Sequence, residues 1–181
     1  NTCQFSVSAC TLNKSLKAFA FDIIPEAVSI SLNNSLSNKI STKRFIIENI
    51  GLADTFSMKS VPVGTYSPSL MSAYALDQSI SSNNDKKVDI RVVTLDHYVE
   101  QTGVEDLSGP CVFKLDVEGF ESNVLDGSYR TIQSLQPFII CEIINKSNPK
   151  KVQDALKDHG YRYFLITDIG LLHSDRVYCH K

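Results

Sequence analysis

The run Val112-Phe113-Lys114-Leu115-Asp116-Val117-Glu118-Gly119-Phe120-Glu121, followed by Ser122-Asn123-Val124-Leu125-Asp126-Gly127, constrains this chain more than any other segment. An apolar strand pattern breaks into clustered carboxylates and then into helical spacing. Open α/β sheets hold their ligands in a crevice outside the carboxyl ends of the strands. Such a break therefore brings Lys114, Asp116, Glu118 and Glu121 to the place where chemistry sits. The same acids have a plain structural use, because carboxylates favour the N-terminus of a helix, and the segment alone does not choose between the two.

Around it, strand-like and helix-like segments alternate, which predicts a mostly parallel sheet covered by helices on both faces. Gln4 to Leu12 reads as a helix with Phe5, Ala9 and Leu12 on one face. Lys17 to Ile24 has strand length, Pro25 stands where the first turn of a helix tolerates it, and Val28, Leu32 and Leu36 then recur at helical spacing. Arg44 to Asn49 is the next strand, closed by Gly51. Residues 54–89 are less regular: Phe56-Ser57-Met58-Lys59 has strand character, Ser79 to Lys87 is a polar loop by composition, and the stretch is either a lid over the crevice or a solvated insertion. Asn123 to Leu135 predicts one helix with Val124, Leu125, Ser128, Ile132 and Leu135 inward, and Pro137 to Ile144 a buried strand. Asn148-Pro149 opens a helix that buries Val152, Ala155 and Leu156 and stops at Gly160. Tyr161 to Thr167 and Leu171 to Cys179 form a hairpin turning at Asp168-Ile169-Gly170.

A length of 181 residues suits a single domain, 1–181. A formal charge of -2 argues against a polyanion-binding surface, so nucleic acid is not an expected partner. No stretch approaches the roughly 18 apolar residues of a membrane helix, and no membrane association is expected. The five cysteines, at positions 3, 10, 111, 141 and 179, form no CxxC pair, and three of them lie in apolar surroundings. They read as reduced core residues of a cytoplasmic protein. His97, His159, His173 and His180 lack zinc-ligand spacing.

The signature lysine-apolar-aspartate-apolar-glutamate-glycine-x-glutamate at Lys114 to Glu121, with valine-leucine-x-glycine at Val124 to Gly127, resembles the FkbM family of S-adenosylmethionine-dependent methyltransferases. The resemblance extends to Val93-Thr94-Leu95-Asp96, to Gln136-Pro137-Phe138-Ile139-Ile140-Cys141-Glu142-Ile143, and to Ala18-Phe19-Ala20-Phe21-Asp22-Ile23-Ile24-Pro25-Glu26, where Asp22 replaces the family's glutamate. It implies a Rossmann-like class I methyltransferase fold, a doubly wound, mostly parallel sheet with a C-terminal antiparallel hairpin. The family opens on a strand and a turn reading aspartate-x-glycine-alanine-asparagine-x-glycine. This chain starts at what resembles the tail of that turn, with Cys3 in place of the last glycine. The first strand is expected to be missing from the chain, and the flanking strands then need another segment, from a partner or from upstream residues, to satisfy their backbone groups. A homo-oligomer is one way to provide it.

The resemblance implies S-adenosylmethionine as cofactor. Asp22, next to Ile23, would accept hydrogen bonds from the ribose; Asn1 and Thr2 would face the amino-acid portion; Gly51 and Leu52 would neighbour the adenine. Methyl transfer requires an acceptor held in line and, for a hydroxyl, relieved of its proton. Asp116 is the candidate base or metal ligand near the methyl group, where it would also touch the cofactor, with Lys114 and Glu118 beside it; Lys114 could instead simply pair with Asp116. Glu118, Glu121 and Glu142 share the rim and could hold a hard cation, although no metal is assigned. Ser67 and Ser69 could line the acceptor side, and His97 could act there or lie at the surface. The acceptor implied is a hydroxyl of a small molecule or sugar. A second reading is a non-catalytic methyltransferase-like domain that has lost its cofactor, motivated by Cys3. A nicotinamide enzyme would need GxGxxG, absent here, and a metal-dependent hydrolase lacks a ligand set.

Overall fold

A computed structural model describes residues 3–63, 86–103, 109–144 and 147–178. The chain forms two compact units, one from Asn1–Gly51 and Ser57–Val92, the other from Leu52–Phe56 and Val93–Lys181.

The first unit begins with α1 (Gln4–Leu12), β1 (Ala18–Phe21), α2 (Pro25–Ser37) and β2 (Phe45–Glu48). β1 and β2 pair in parallel from Ala18↔Phe45 to Phe21↔Glu48, a βαβ unit. Its core is Val7, Cys10, Ala20, Ile40 and Phe45. The expected faces of both helices are corrected. In α1 the inward residues are Val7 and Cys10, while Phe5 and Leu12 are exposed. In α2 they are Ala27, Ser31 and Ser35, and Leu36 is exposed. Small side chains let the backbones approach closely, and the larger apolar residues are left on the outside. Arg44 ties the end of α1 down by donating to the carbonyls of Cys10 at 2.8 Å, Asn13 at 2.7 Å and Leu16 at 3.1 Å. Each bond satisfies a carbonyl that a helix end or loop leaves open.

Three further strands, β3 (Gly51–Leu52), β4 (Ser57–Val63) and β5 (Lys86–Val93), form a sheet with β5 in the centre. β4 and β5 run antiparallel from Ser57↔Val92 to Val63↔Lys86. They bear out the strand expected at Phe56 to Lys59, which starts one residue later and runs on to Val63, and the return to strand expected at Val88, which begins two residues earlier, at Lys86, inside the stretch read as a polar loop. The lid or insertion expected over 54–89 falls largely on residues 64–85, which lie outside the described residues.

The second unit contains α3 (Leu95–Thr102), β6 (Val112–Leu115), α4 (Glu121–Asp126), α5 (Tyr129–Leu135), β7 (Phe138–Cys141), α6 (Pro149–Leu156), a 3-10 turn (Lys157–His159), β8 (Tyr163–Thr167) and β9 (Gly170–Ser174). β6 and β7 are parallel, in register from Val112↔Phe138 to Leu115↔Cys141. β8 and β9 form the expected antiparallel hairpin. The core gathers Leu115, Val124, Leu125, Ile132, Ile143, Val152 and Leu156, each large aliphatic burial contributing about 1.5–3 kcal/mol. The Asn148 side chain accepts from Lys151 N–H at 3.1 Å and Pro149 opens α6, as the sequence indicates.

The single helix expected over Asn123 to Leu135 is instead two, α4 and α5, broken at Gly127-Ser128. A Cβ at Gly127 would overlap the Ala53 carbonyl, so the chain passes there only without a side chain. Gly127 O also accepts from Asp96 N at 3.0 Å. The Asp96 carboxylate then starts α5, accepting from Arg130 N at 3.0 Å, Thr131 N at 2.8 Å and Thr131 Oγ1 at 2.7 Å. Thr94 caps α3 through His97 N at 3.1 Å. Threonine-leucine-aspartate and valine-leucine-x-glycine are thereby given structural work.

The fold is mixed α/β with small, partly antiparallel sheets. The described strands pair as β1-β2, β3-β5-β4, β6-β7 and β8-β9, and the continuous doubly wound sheet expected is not seen among them. Continuity would require strands bonded on both edges of β1 and β6, and among the described residues each has one neighbour.

Candidate functional site

In the second unit, β6 ends at Leu115 and its ladder with β7 runs on to Glu142 N, which donates to Leu115 O at 3.0 Å. Beyond it the backbone turns sharply. Phe120 N donates to Val117 O at 3.3 Å, and the two residues between, Glu118 and Gly119, have φ of 53° and 109°. Left-handed backbone at a non-glycine residue is uncommon and marks a position held by its surroundings.

Lys114 and Asp116 meet at the start of this turn, Nζ to Oδ2 at 3.3 Å, both side chains more than a quarter exposed. The pairing considered for Lys114 is thus present, and Asp116 faces an ammonium at the strand end. Glu121 is sealed at 1% exposure. Its Oε1 accepts from Gly119 N at 2.9 Å, and its Oε2 has no hydrogen-bond partner among the described residues. Cys141, opposite Leu115, reports the local charge: burial first, then Glu121, pushes its thiol up to about 12, with Lys114 opposing and Asp116 and Glu142 adding to the rise. Three carboxylates and one ammonium thus act on one partly buried thiol at the carboxyl ends of β6 and β7. No three His, Cys, Asp or Glu side chains among the described residues are grouped so as to hold a metal ion.

In the first unit, β1 ends at Phe21, and Asp22 begins the turn into α2. Asp22 Oδ1 accepts from Ile24 N at 2.9 Å, and its carbonyl accepts from Asn49 Nδ2 at 2.9 Å. Ile23 is buried beside Gly51, where a Cβ would stand 3.1 Å from Ile23 Cγ2 and 3.2 Å from Val92 Cγ2. Asp22, Ile23 and Gly51 are therefore brought to one end of the β1–β2 pair. Cys3 precedes α1 with φ 51° and ψ 30°, the conformation a glycine adopts most readily. Burial raises its thiol above the ordinary range, with Asp22 adding to the rise.

Leu52 packs against the core of the second unit. His97 lies in the first turn of α3, its ring edge-on to Phe56 at 6.1 Å. Asn1, Thr2, Ser67 and Ser69 lie outside the described residues. Sequence reasoning missed the part played by Cys141, whose only signal was its place at the end of an apolar strand, and the capping duty of Asp96.

A family model described as the methyltransferase FkbM domain matches residues 4–163. Among solved structures, the methyltransferase FkbM from Methylobacillus flagellatus KT is similar, with a TM-score of 0.57 and 13% identity over 90% of this chain. At that identity the likeness concerns the fold alone. The chain spans 36% of the length of that structure. None of the curated proteins matches. No helix among the described residues is long and apolar enough to cross a membrane.

Proposed function

We propose, for a chain that belongs to the FkbM methyltransferase domain family, that it serves S-adenosylmethionine-dependent transfer of a methyl group to a hydroxyl of a small molecule or sugar. The organisation proposed with it is the Rossmann-like class I arrangement. The observation that carries the reading is the charge at the carboxyl ends of β6 and β7. Asp116, Glu121 and Glu142 outnumber Lys114 there, and such an excess suits a cationic ligand. The residues present fit the cofactor in that respect: when bound, it supplies a methyl group activated on a sulfonium.

Asp116 is the group placed to hold or accept the acceptor's proton. Lys114, 3.3 Å away, keeps its carboxylate oriented. Glu118, in the strained turn two residues on from Asp116, is the proposed second carboxylate. In the first unit, Asp22 at the end of β1 is the proposed ribose partner, and Gly51, packed against Ile23 and Val92, is the proposed neighbour of the adenine. Asn1, Thr2 and Leu52 complete the proposed cofactor contacts, and a cytoplasmic setting is proposed with them.

The non-catalytic reading has one observation in its favour: the Cys3 side chain occupies a left-handed position that glycine would leave open. Calorimetric titration of S-adenosylmethionine and its demethylated product into the natural full-length protein separates the two. Binding that weakens about tenfold or more in Asp22→Asn, in line with a lost charged hydrogen bond, supports the methyltransferase. No binding by the unmodified protein leaves the non-catalytic domain.

A further inference from the structure

We propose that Glu121 is a positioning residue, which by accepting the Gly119 N–H locks the 117–120 turn and thereby fixes where Asp116 and Glu118 present their carboxylates. Its functional consequence rests on the methyl-transfer reading above; the locking itself does not.

Three observations carry it. First, the turn needs a lock. Glu118 at φ 53° and Gly119 at φ 109° are consecutive residues in backbone regions that L side chains rarely adopt, and such geometry persists only where neighbouring groups over-determine it. The backbone bond that closes the turn, Phe120 N to Val117 O, is long at 3.3 Å. The Glu121 bond to Gly119 N, at 2.9 Å, is shorter and has a carboxylate as its acceptor, the stronger kind of hydrogen bond.

Second, the arrangement is poorly explained by stability. Glu121 is 1% exposed, and its Oε2 has no partner among the described residues. Removing a carboxylate from water to satisfy one amide is costly, and a glutamine carbonyl could accept the same bond with less desolvation. Groups that a fold would hold more cheaply in another form are found where function requires them.

Third, the lock is in the right place. Asp116, paired with Lys114, lies one residue before the turn, and Glu118 lies within it. Among charged neighbours Glu121 acts most strongly on Cys141, ahead of Lys114, Asp116 and Glu142, so its carboxylate belongs to the same strand-end cluster.

The test compares Glu121→Gln and Glu121→Ala with the unmodified full-length protein. Amide hydrogen exchange at Gly119 is expected to be slowest in the unmodified protein, intermediate in Glu121→Gln and fastest in Glu121→Ala, faster by about tenfold, as the loss of one good hydrogen bond allows. S-adenosylmethionine affinity is expected to fall in that order, while the melting temperature of Glu121→Gln equals or exceeds that of the unmodified protein. A purely structural role would make binding follow the melting temperature. Unchanged Gly119 exchange in Glu121→Gln together with a lowered melting temperature overturns the proposal, and if Glu121→Ala does not fold, the glutamine variant decides alone. If the unmodified protein binds no S-adenosylmethionine, the methyl-transfer reading fails, and the order of Gly119 exchange still decides whether Glu121 locks the turn.

Discussion

Cys3 sits in backbone that a glycine would fill without strain, and two opposing terms follow from that. Left-handed φ costs an L residue about 1–2 kcal/mol, while its half-buried thiol gains on the order of 1 kcal/mol from contact with the first unit's core. Replacing it with glycine should therefore change stability little, but Cys3→Gly should be more stable than Cys3→Ala by about 1 kcal/mol, the reverse of their helix preferences. Urea unfolding of the two variants measures this, and an alanine variant equal to or better than glycine would refute the strain. Cys141 makes a second residue-scale case. Its thiol ionises near 9.0 when unfolded and at about 12 when folded. Between those values the unfolded chain has lost a proton that the folded chain keeps, so stability is full below pH 9 and declines as pH rises toward 12. Cys141→Ala should unfold with a shallower alkaline slope than the parent; an identical slope would remove Cys141 as its cause.

Elements here are joined at points where one atom decides the path. Gly127 lets α4 end against the Ala53 carbonyl, and no rotamer of a longer side chain relieves a clash that begins at Cβ and ends on backbone. Gly127→Ala should destabilise the fold by about 1–3 kcal/mol, the range for overpacking. Because Gly127 O also receives Asp96 N, the shift should reach the start of α5 and speed exchange at the Thr131 amide. A variant with parental stability would mean that the backbone at Ala53 yields freely. The helix break itself was not legible in the sequence, because Val124, Leu125, Ser128 and Ile132 keep one helical spacing across it and are all buried on both sides of it. Only the tertiary partner, Ala53, requires the interruption.

For the whole molecule, the sequence was most legible where apolar periodicity and punctuation agreed. β1, β2, β6, β7, the Asn148-Pro149 start and the terminal hairpin are all present, with starts within a residue or two of those expected, while β1, β7 and β9 end three to five residues early. It was least legible in the packing of α1 and α2, because counting large apolar residues selects Phe5, Leu12 and Leu36, whereas the close approach of the chain selects Cys10, Ala27 and Ser31. In the candidate site, the strand-end position of Lys114 and Asp116 was readable from the motif. The charge environment of Cys141 was not, since it depends on register across the β6–β7 pair. Small sheets leave apolar side chains outside: Val112 is 50% and Phe138 72% exposed, unusual for parallel strands, which are ordinarily covered on both faces. The folded chain should consequently bind a hydrophobic dye, and Phe138→Ser should bind less of it. Equal uptake by both would show that this face does not take up the dye. The pairing pattern also has a kinetic consequence. Each parallel pair closes over fewer than about thirty residues of chain, the span of one βαβ unit, so the ladder from Ala18 to Phe45 can form on the ribosome while the Lys114 segment is still being synthesised.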